Sequence, residues 1–237
     1  MSLREQQMAA RRTRILDNAE RVIRKIGGID FSMRSLAAAA ETSPATPYNL
    51  FGSKEGLLYA LLSRSLDEIT RRGLAFKSRD PLDQILEAAD NAVDIFLDDP
   101  NFLRPLYQFL LGVIHPVYRP RFIERSLGYW RTALDSAAAA GLLSPDFDRN
   151  TLAHALMAHF MGVLEFWIHE DVDDAGFRAH VGYGTALQLW PLAHGTRLPK
   201  LLRKLRAAQQ SIRYSTSVAA ALSAAAPIQL STRRSRG

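Results

Sequence analysis

Apolar positions in the first 65 residues recur with the 3.6-residue period of helices, in four bursts separated by turn-forming residues. Ile15, Ala19, Val22, Ile23 and Ile26 share one face of a first helix, and Gly27-Gly28 ends it. Ser32 stands where an N-cap is needed for a short helix Met33–Ala40, whose Leu36, Ala37 and Ala40 form the inner face. Glu41-Thr42 makes a tight connection. Ser43 then reads as the N-cap of a third helix with Pro44 at its first position, where a missing N–H costs nothing. Pro47 would stand fourth in that helix and lose the bond to the Ser43 carbonyl, so a distorted or 3₁₀ first turn is expected. Gly52 breaks the chain, and Ser53 restarts it as a longer helix carrying Leu57, Leu58, Leu61 and Leu62. Phe31 and Phe51 fall at the junctions, where bulky groups seal so small a core.

The same period continues downstream. Leu82, Ile85, Leu86, Ala89, Val93, Phe96 and Leu97 form an amphipathic run after Asp80-Pro81, stopped near Asp99-Pro100. Phe102–Ile114 is heavily apolar, and Arg121–Ala140 follows, ended by Gly141. Asp148–His169 and Ala175–Leu192 are two further helices joined by an acidic stretch. From Arg197 the character changes. Arg197–Arg213 reads as a basic amphipathic helix with Leu198, Leu201, Leu202 and Leu205 on one side. An Ala-, Ser- and Thr-rich stretch follows and ends in Arg233, Arg234 and Arg236, where only weak packing is expected. No run alternates long enough for a strand, and no repeat appears. The expected fold is all-α, divided as 1–60, 61–196 and a basic tail 197–237.

Composition narrows the chemistry. A chain of 237 residues with 47% apolar and 23% charged side chains has the makings of one or two globular domains. The absence of cysteine excludes disulfides, thiol catalysis, iron–sulfur clusters and thiolate zinc sites. The start lacks an apolar core behind its arginines, so no secretory signal is expected. Thr151–Leu164 is too short to span a bilayer, and Tyr214–Thr232 is too rich in Ser and Thr, with Pro227 inside it, so no membrane partner is expected. Net charge is +4 over residues 1–65, −7 over 66–196 and +9 over 197–237. A polyanion would meet the ends of this chain and be repelled by the middle.

Two short helices joined by a tight turn make a helix-turn-helix, and Ala37 and Ala40 let them cross closely. Arg12, Ile15, Leu16, Phe31, Ser32, Ala40, Ser43, Tyr48, Phe51, Lys54 and Leu57 occur at the spacing of the tetracycline-repressor (TetR) family, which this segment of about 50 residues resembles. Glu41 stands where that pattern has the turn glycine, Thr42 for its valine, Ala45 for its second glycine, Pro47 for its leucine and Leu50 for its histidine. The groups available suggest roles at DNA. Thr46 and Asn49 offer a hydroxyl and an amide to base edges, and Pro44 and Ala45 offer contact to a thymine methyl. Ser43, beside them, joins the candidate contacts. Ser32 and Arg34 suit phosphates, as do Arg11, Arg12 and Arg14 along the backbone or in a minor groove. The resemblance adds Tyr48 and Lys54 as phosphate contacts.

The resemblance also implies a cytoplasmic homodimer on a roughly palindromic double-stranded operator, built through the last two core helices. Small residues there (Ala153, Ala155, Ala158, Gly162, Gly182, Gly184 and Ala186) suit either that interface or close packing inside one subunit. It further implies an effector pocket between about residues 82 and 170. Phe96, Tyr107, Gln108, His115, Tyr118, Phe122, Trp130, Phe160 and Trp167 are its candidate ligand-binding residues, and they suit a hydrophobic small molecule. The implied activity is a ligand-released repressor. An enzyme is disfavoured, since no metal-protease, phosphate-loop or nucleophile-elbow motif occurs, and neither a cofactor nor a metal is expected. Glu165 and His169 at i, i+4 suit an ordinary helix pair as well as a metal. The remaining alternative is a membrane-surface or protein-interaction module led by the basic helix from Arg197.

Overall fold

The computed structural model describes residues 2–143, 148–193 and 197–212, and among them every regular element is helical. The first is α1 (Leu3–Ile26), opened by a capping box in which Ser2 and Glu5 exchange side-chain bonds to each other's backbone N–H groups. Gly27 closes it at φ +63°, donating to the Ile23 carbonyl at 2.8 Å. Ile15, Ala19 and Ile23 are fully buried, whereas residues 2–11 stand in solvent as an extension of the same helix. The head is completed by α2 (Met33–Ala39), α3 (Ala45–Phe51) and the first turns of α4 (Lys54–Gly73). Because α4 runs unbroken through residue 60, it belongs to both the head and the body.

The body comprises α5 (Pro81–Asp98), α6 (Pro100–Gly112), α7 (Tyr118–Ala133), α8 (Asp135–Ala139), α9 (Arg149–Ile168), α10 (Asp174–Gln188) and α11 (Arg197–Ser211). Asp80 caps α5 by accepting from Leu82 and Asp83, with Pro81 at the first helical position. The centre is aromatic. Trp167 stacks on Phe177 with ring centroids 5.1 Å apart, Phe96 meets both edge-on, and Arg104 lies 4.2 Å over the indole. The indole N–H donates to Asp174 at 2.7 Å, so no polar atom of that large side chain is left unpaired.

Three elements differ from the sequence expectation. The helix expected over Arg121–Ala140 begins earlier and is interrupted at Leu134. The Arg149 guanidinium donates to the Arg131 carbonyl at 2.9 Å and pairs with Asp135, and the same carbonyl also accepts from the Leu134 N–H at 3.1 Å, a tightened i to i+3 bond at the helix end. The helix expected over Ala175–Leu192 stops at Gln188, and Trp190–Leu192 forms a 3₁₀ turn around Pro191, which has no N–H to continue the ladder. The basic helix ends at Ser211 and is docked on the body. Leu201 and Leu205 are buried, while Arg197, Lys200 and Lys204 pair with Asp80, Asp83 and Asp90 of α5. The Arg213 end of that expected helix, the Tyr214–Thr232 stretch and the arginines at 233, 234 and 236 lie outside the described residues.

The small residues expected between the last core helices divide. Ala153, Gly182, Gly184 and Ala186 are buried within the subunit, and a Cβ on Gly184 would overlap the His159 ring. Ala155, Ala158 and Gly162 face solvent. By length and composition α9 would suffice to cross a membrane, but its Leu156, Leu164 and Trp167 are core residues of this body.

Candidate nucleic-acid interface and effector cavity

Ser32 and Ser35 cap α2 reciprocally, at 2.9 and 3.2 Å. The helix closes with Glu41 donating to Ala38 and Thr42 to Ala37, a pair of bonds that requires Glu41 to take φ +52°. The chain turns sharply there. One residue separates the start of α3 from the expectation, since Pro44 rather than Ser43 is its N-cap and Ala45 its first residue. Pro47 is therefore third, within the turn whose N–H groups have no intrahelical partner, and its ring is buried. The Ser43 carbonyl accepts instead from Thr46 N–H at 2.9 Å, an i to i+3 bond that gives the expected tightened first turn. Gly52 ends α3 at φ +77°, and Ser53 caps α4 by accepting from Gly56 N–H. Gly56 is pressed against the Phe51 carbonyl so closely that a Cβ would overlap it. The sequence reading passed over Gly56; a glycine one turn inside a helix start was the available signal.

Pro47 and Phe51 turn α3 inward, which leaves the opposite side open to solvent. Ser43, Pro44, Ala45, Tyr48 and Asn49 are exposed there, Tyr48 at 51%. Thr46 is half-buried, its hydroxyl 2.9 Å from that of Ser43. Arg34 projects from α2, and Ser32 beside it already spends its oxygen as a cap. Arg11 and Arg14 are exposed on α1. Arg12, expected to track DNA, has an internal engagement: its Nη1 donates to the Leu50 carbonyl at 3.1 Å, and its guanidinium lies 4.4 Å over the Phe51 ring. It ties α1 to the end of α3. Lys54 is half-buried with its Nζ 4.9 Å from the Phe31 ring centroid.

In the body a void of about 30 Å³ lies among α4, α5, α6, α7 and α9. Four of the candidate ligand-binding residues, Phe96, Tyr107, Trp130 and Phe160, line it, together with Met157 and Met161. Its few polar groups are mostly committed. Tyr129 donates to the Ala88 carbonyl at 2.6 Å and Ser126 to that of Phe122 at 3.0 Å. Burial pushes the Tyr107 phenol up to about 12, so it stays a neutral hydroxyl, 3.5 Å from Ser65 Oγ. The other candidates lie elsewhere. Trp167 is packed behind Phe177, Gln108 faces solvent, and Tyr118 and Phe122 line a separate crevice beside the head. His115 sits beside Tyr118 at 4.4 Å, its Nδ1 accepting from the Val117 and Tyr118 N–H groups. His169 and His154 each bond a carbonyl one turn back in α9, and no three candidate metal ligands converge among the described residues.

This head, with a buried α2 crossing and an outward α3, coincides with residues 15–61, which match the family described as bacterial regulatory proteins, tetR family. The match covers the head alone, residues 15–61 of 237, and there the chain is similar to the TetR family. Beyond the head the likeness is one of fold. A TetR transcriptional regulator from Rhodococcus sp. RHA1 is 21% identical, over 80% of this chain and 100% of that one, with a TM-score of 0.63. Full-length TylP, a TetR regulator from Streptomyces fradiae, is 20% identical over 86% and 99%, with a TM-score of 0.62. SmeT, the repressor of the Stenotrophomonas maltophilia multidrug efflux pump SmeDEF, is 18% identical over 79% and 95%, with a TM-score of 0.57. No curated protein sequence matches the chain. Against the TetR pattern, Glu41 occupies the glycine position in the backbone conformation that glycine adopts most readily.

Proposed function

We propose that the protein is a homodimeric, cytoplasmic repressor that reads a roughly palindromic operator with α3 and leaves it when a hydrophobic small molecule enters the body. The exposed face of α3 carries this reading: Tyr48, Asn49, Ala45 and Pro44 stand in solvent because Pro47 and Phe51 occupy the core side. A helix so placed fits a major groove, where the Asn49 amide suits adenine and the apolar Pro44 and Ala45 suit a thymine methyl. Ser43 and Thr46, sharing one hydroxyl contact, present a combined donor and acceptor. Tyr48, Lys54, Arg34, Ser32, Arg11 and Arg14 hold register on phosphates.

The void among Phe96, Tyr107, Trp130 and Phe160 has room for about one water molecule, so an effector enters only by parting its walls. Met157 and Met161 are the walls best suited to yield. Leu66 and Ile69 of α4 also line the void, while the first turn of α4 abuts α3 through Gly56 and the Phe51 carbonyl. An effector that displaces α4 therefore shifts the reading helix, and it favours release only to the extent that it binds the displaced form more tightly. The lining selects an uncharged, largely aromatic effector with one polar group for the Tyr107 hydroxyl.

Selection of bound fragments from a random DNA library by the full-length protein tests the reading. The expected outcome is a recurring inverted pair of half-sites, with Asn49→Ala relaxing preference at one base position by about 1–3 kcal/mol. Selected fragments that share no half-site would overturn it.

A further inference from the structure

A second cavity, of about 340 Å³, opens where the head meets the body. Its walls come from both: Arg12 and Phe51 from α1 and α3, Tyr59 and Ser63 from α4, and Tyr118, Phe122, Arg121 and Arg125 from α7. The chemistry differs from that of the central void. Three guanidinium groups and two phenols line it, and no carboxylate does. Arg125 is offset by its ion pair with Asp67, and Arg12 is engaged with the Leu50 carbonyl. Arg121 forms no ion pair among the described residues, and the Ser63 and Tyr118 hydroxyls make no hydrogen bond there. Tyr59 and Tyr118 present ring faces 5.4 Å apart at the floor.

We propose that this crevice binds a small aromatic carboxylate at a site distinct from the central effector void. One guanidinium without an ion pair among the described residues, with a second held by a carbonyl and a ring face rather than a carboxylate, matches a monoanion. The planar fork of Arg121 suits the two oxygens of a carboxylate. The volume lies at the low end of small-molecule sites, and the Tyr59, Tyr118 and Phe122 rings suit a flat apolar body rather than a bare inorganic ion. Because head and body each contribute walls, occupancy depends on how they are set against each other. An anion that draws Arg12 competes with the Leu50 carbonyl for the tie between α1 and α3.

Calorimetric titration of the full-length protein with 2-naphthoate, 2-naphthamide and inorganic phosphate tests the site. The expected result is saturable binding of 2-naphthoate in the micromolar-to-millimolar range, with the neutral amide and phosphate each at least about tenfold weaker. Arg121→Gln, a solvent-exposed change, lowers naphthoate affinity about tenfold or more and leaves the thermal melt unchanged. Ser63→Tyr fills the crevice without reaching the central void and abolishes the binding. Amide binding as tight as naphthoate, phosphate binding as tight as naphthoate, unchanged affinity in both variants, or no naphthoate binding at all would each overturn the proposal.

Discussion

Glu41 shows how one backbone angle sets up the reading head. It stands at the left-handed position that closes α2, with φ +52°, and its N–H and that of Thr42 satisfy the carbonyls of Ala38 and Ala37. An L side chain there brings Cβ against the following carbonyl, a cost of about 1 kcal/mol that glycine avoids. Glu41→Gly is therefore expected to stabilise the protein by about that amount, seen as a higher urea midpoint with an unchanged slope. The same change removes a negative charge from a surface meant for DNA, so low-salt affinity for random duplex should rise. An unmoved midpoint would show that the turn carries no strain. The departure at Glu41 was legible in the sequence, since the TetR pattern marks that position as a turn glycine. The role of Arg12 was not. An arginine on an exposed helix face reads the same whether it meets a phosphate or a carbonyl, and its partner Leu50 is 38 residues away.

At the scale of elements, what was legible followed from local rules and what was not depended on distant groups. The Ser32 cap stands where the sequence places it, and α4 and α5 start where Ser53 and Asp80-Pro81 mark them, because each start needs only its own next three residues. The bond from Arg149 to the Arg131 carbonyl beside the break at Leu134 spans 18 residues, and the docking of α11 depends on carboxylates more than a hundred residues earlier. That docking has two components of unequal weight. Lys200 and Lys204 pair with Asp83 and Asp90, but the Lys200 side chain is 57% exposed, and such pairs contribute below about 1 kcal/mol. Leu201 is 3% exposed, and truncating a buried leucine costs about 2–4 kcal/mol. Leu201→Ala should accordingly lower the melting temperature well beyond Lys200→Ala, and only the lysine variant's deficit should vanish in high salt. Equal losses would mean that charge, not burial, holds α11 in place. A helix held by its apolar face leaves none for a lipid surface, which argues against the membrane-surface alternative.

For the whole molecule, the question is what covers the outer sides of α9 and α10. With α11 laid against α10, these helices still leave Phe166 at 55% and Leu187 at 52% exposure, with Trp190 beyond them. Scattered exposed apolar residues are ordinary, but here they accompany the solvent-facing Ala155, Ala158 and Gly162, which place no bulk or charge in the way of a second helix pair. A two-fold axis through this face would bury the same residues on both copies and carry two reading heads on one rigid body. The expected outcome is that the full-length chain sediments as a dimer and that Leu187→Asp combined with Phe166→Asp sediments as a monomer with an unchanged helical circular-dichroism spectrum. Operator affinity should fall further than either half-site contact explains. The second head gains its avidity, a factor of about 10² or more, only from being tethered to the first. A double variant that stays dimeric would move the interface elsewhere on the body, whereas a monomer that keeps full operator affinity would break the link between pairing and recognition.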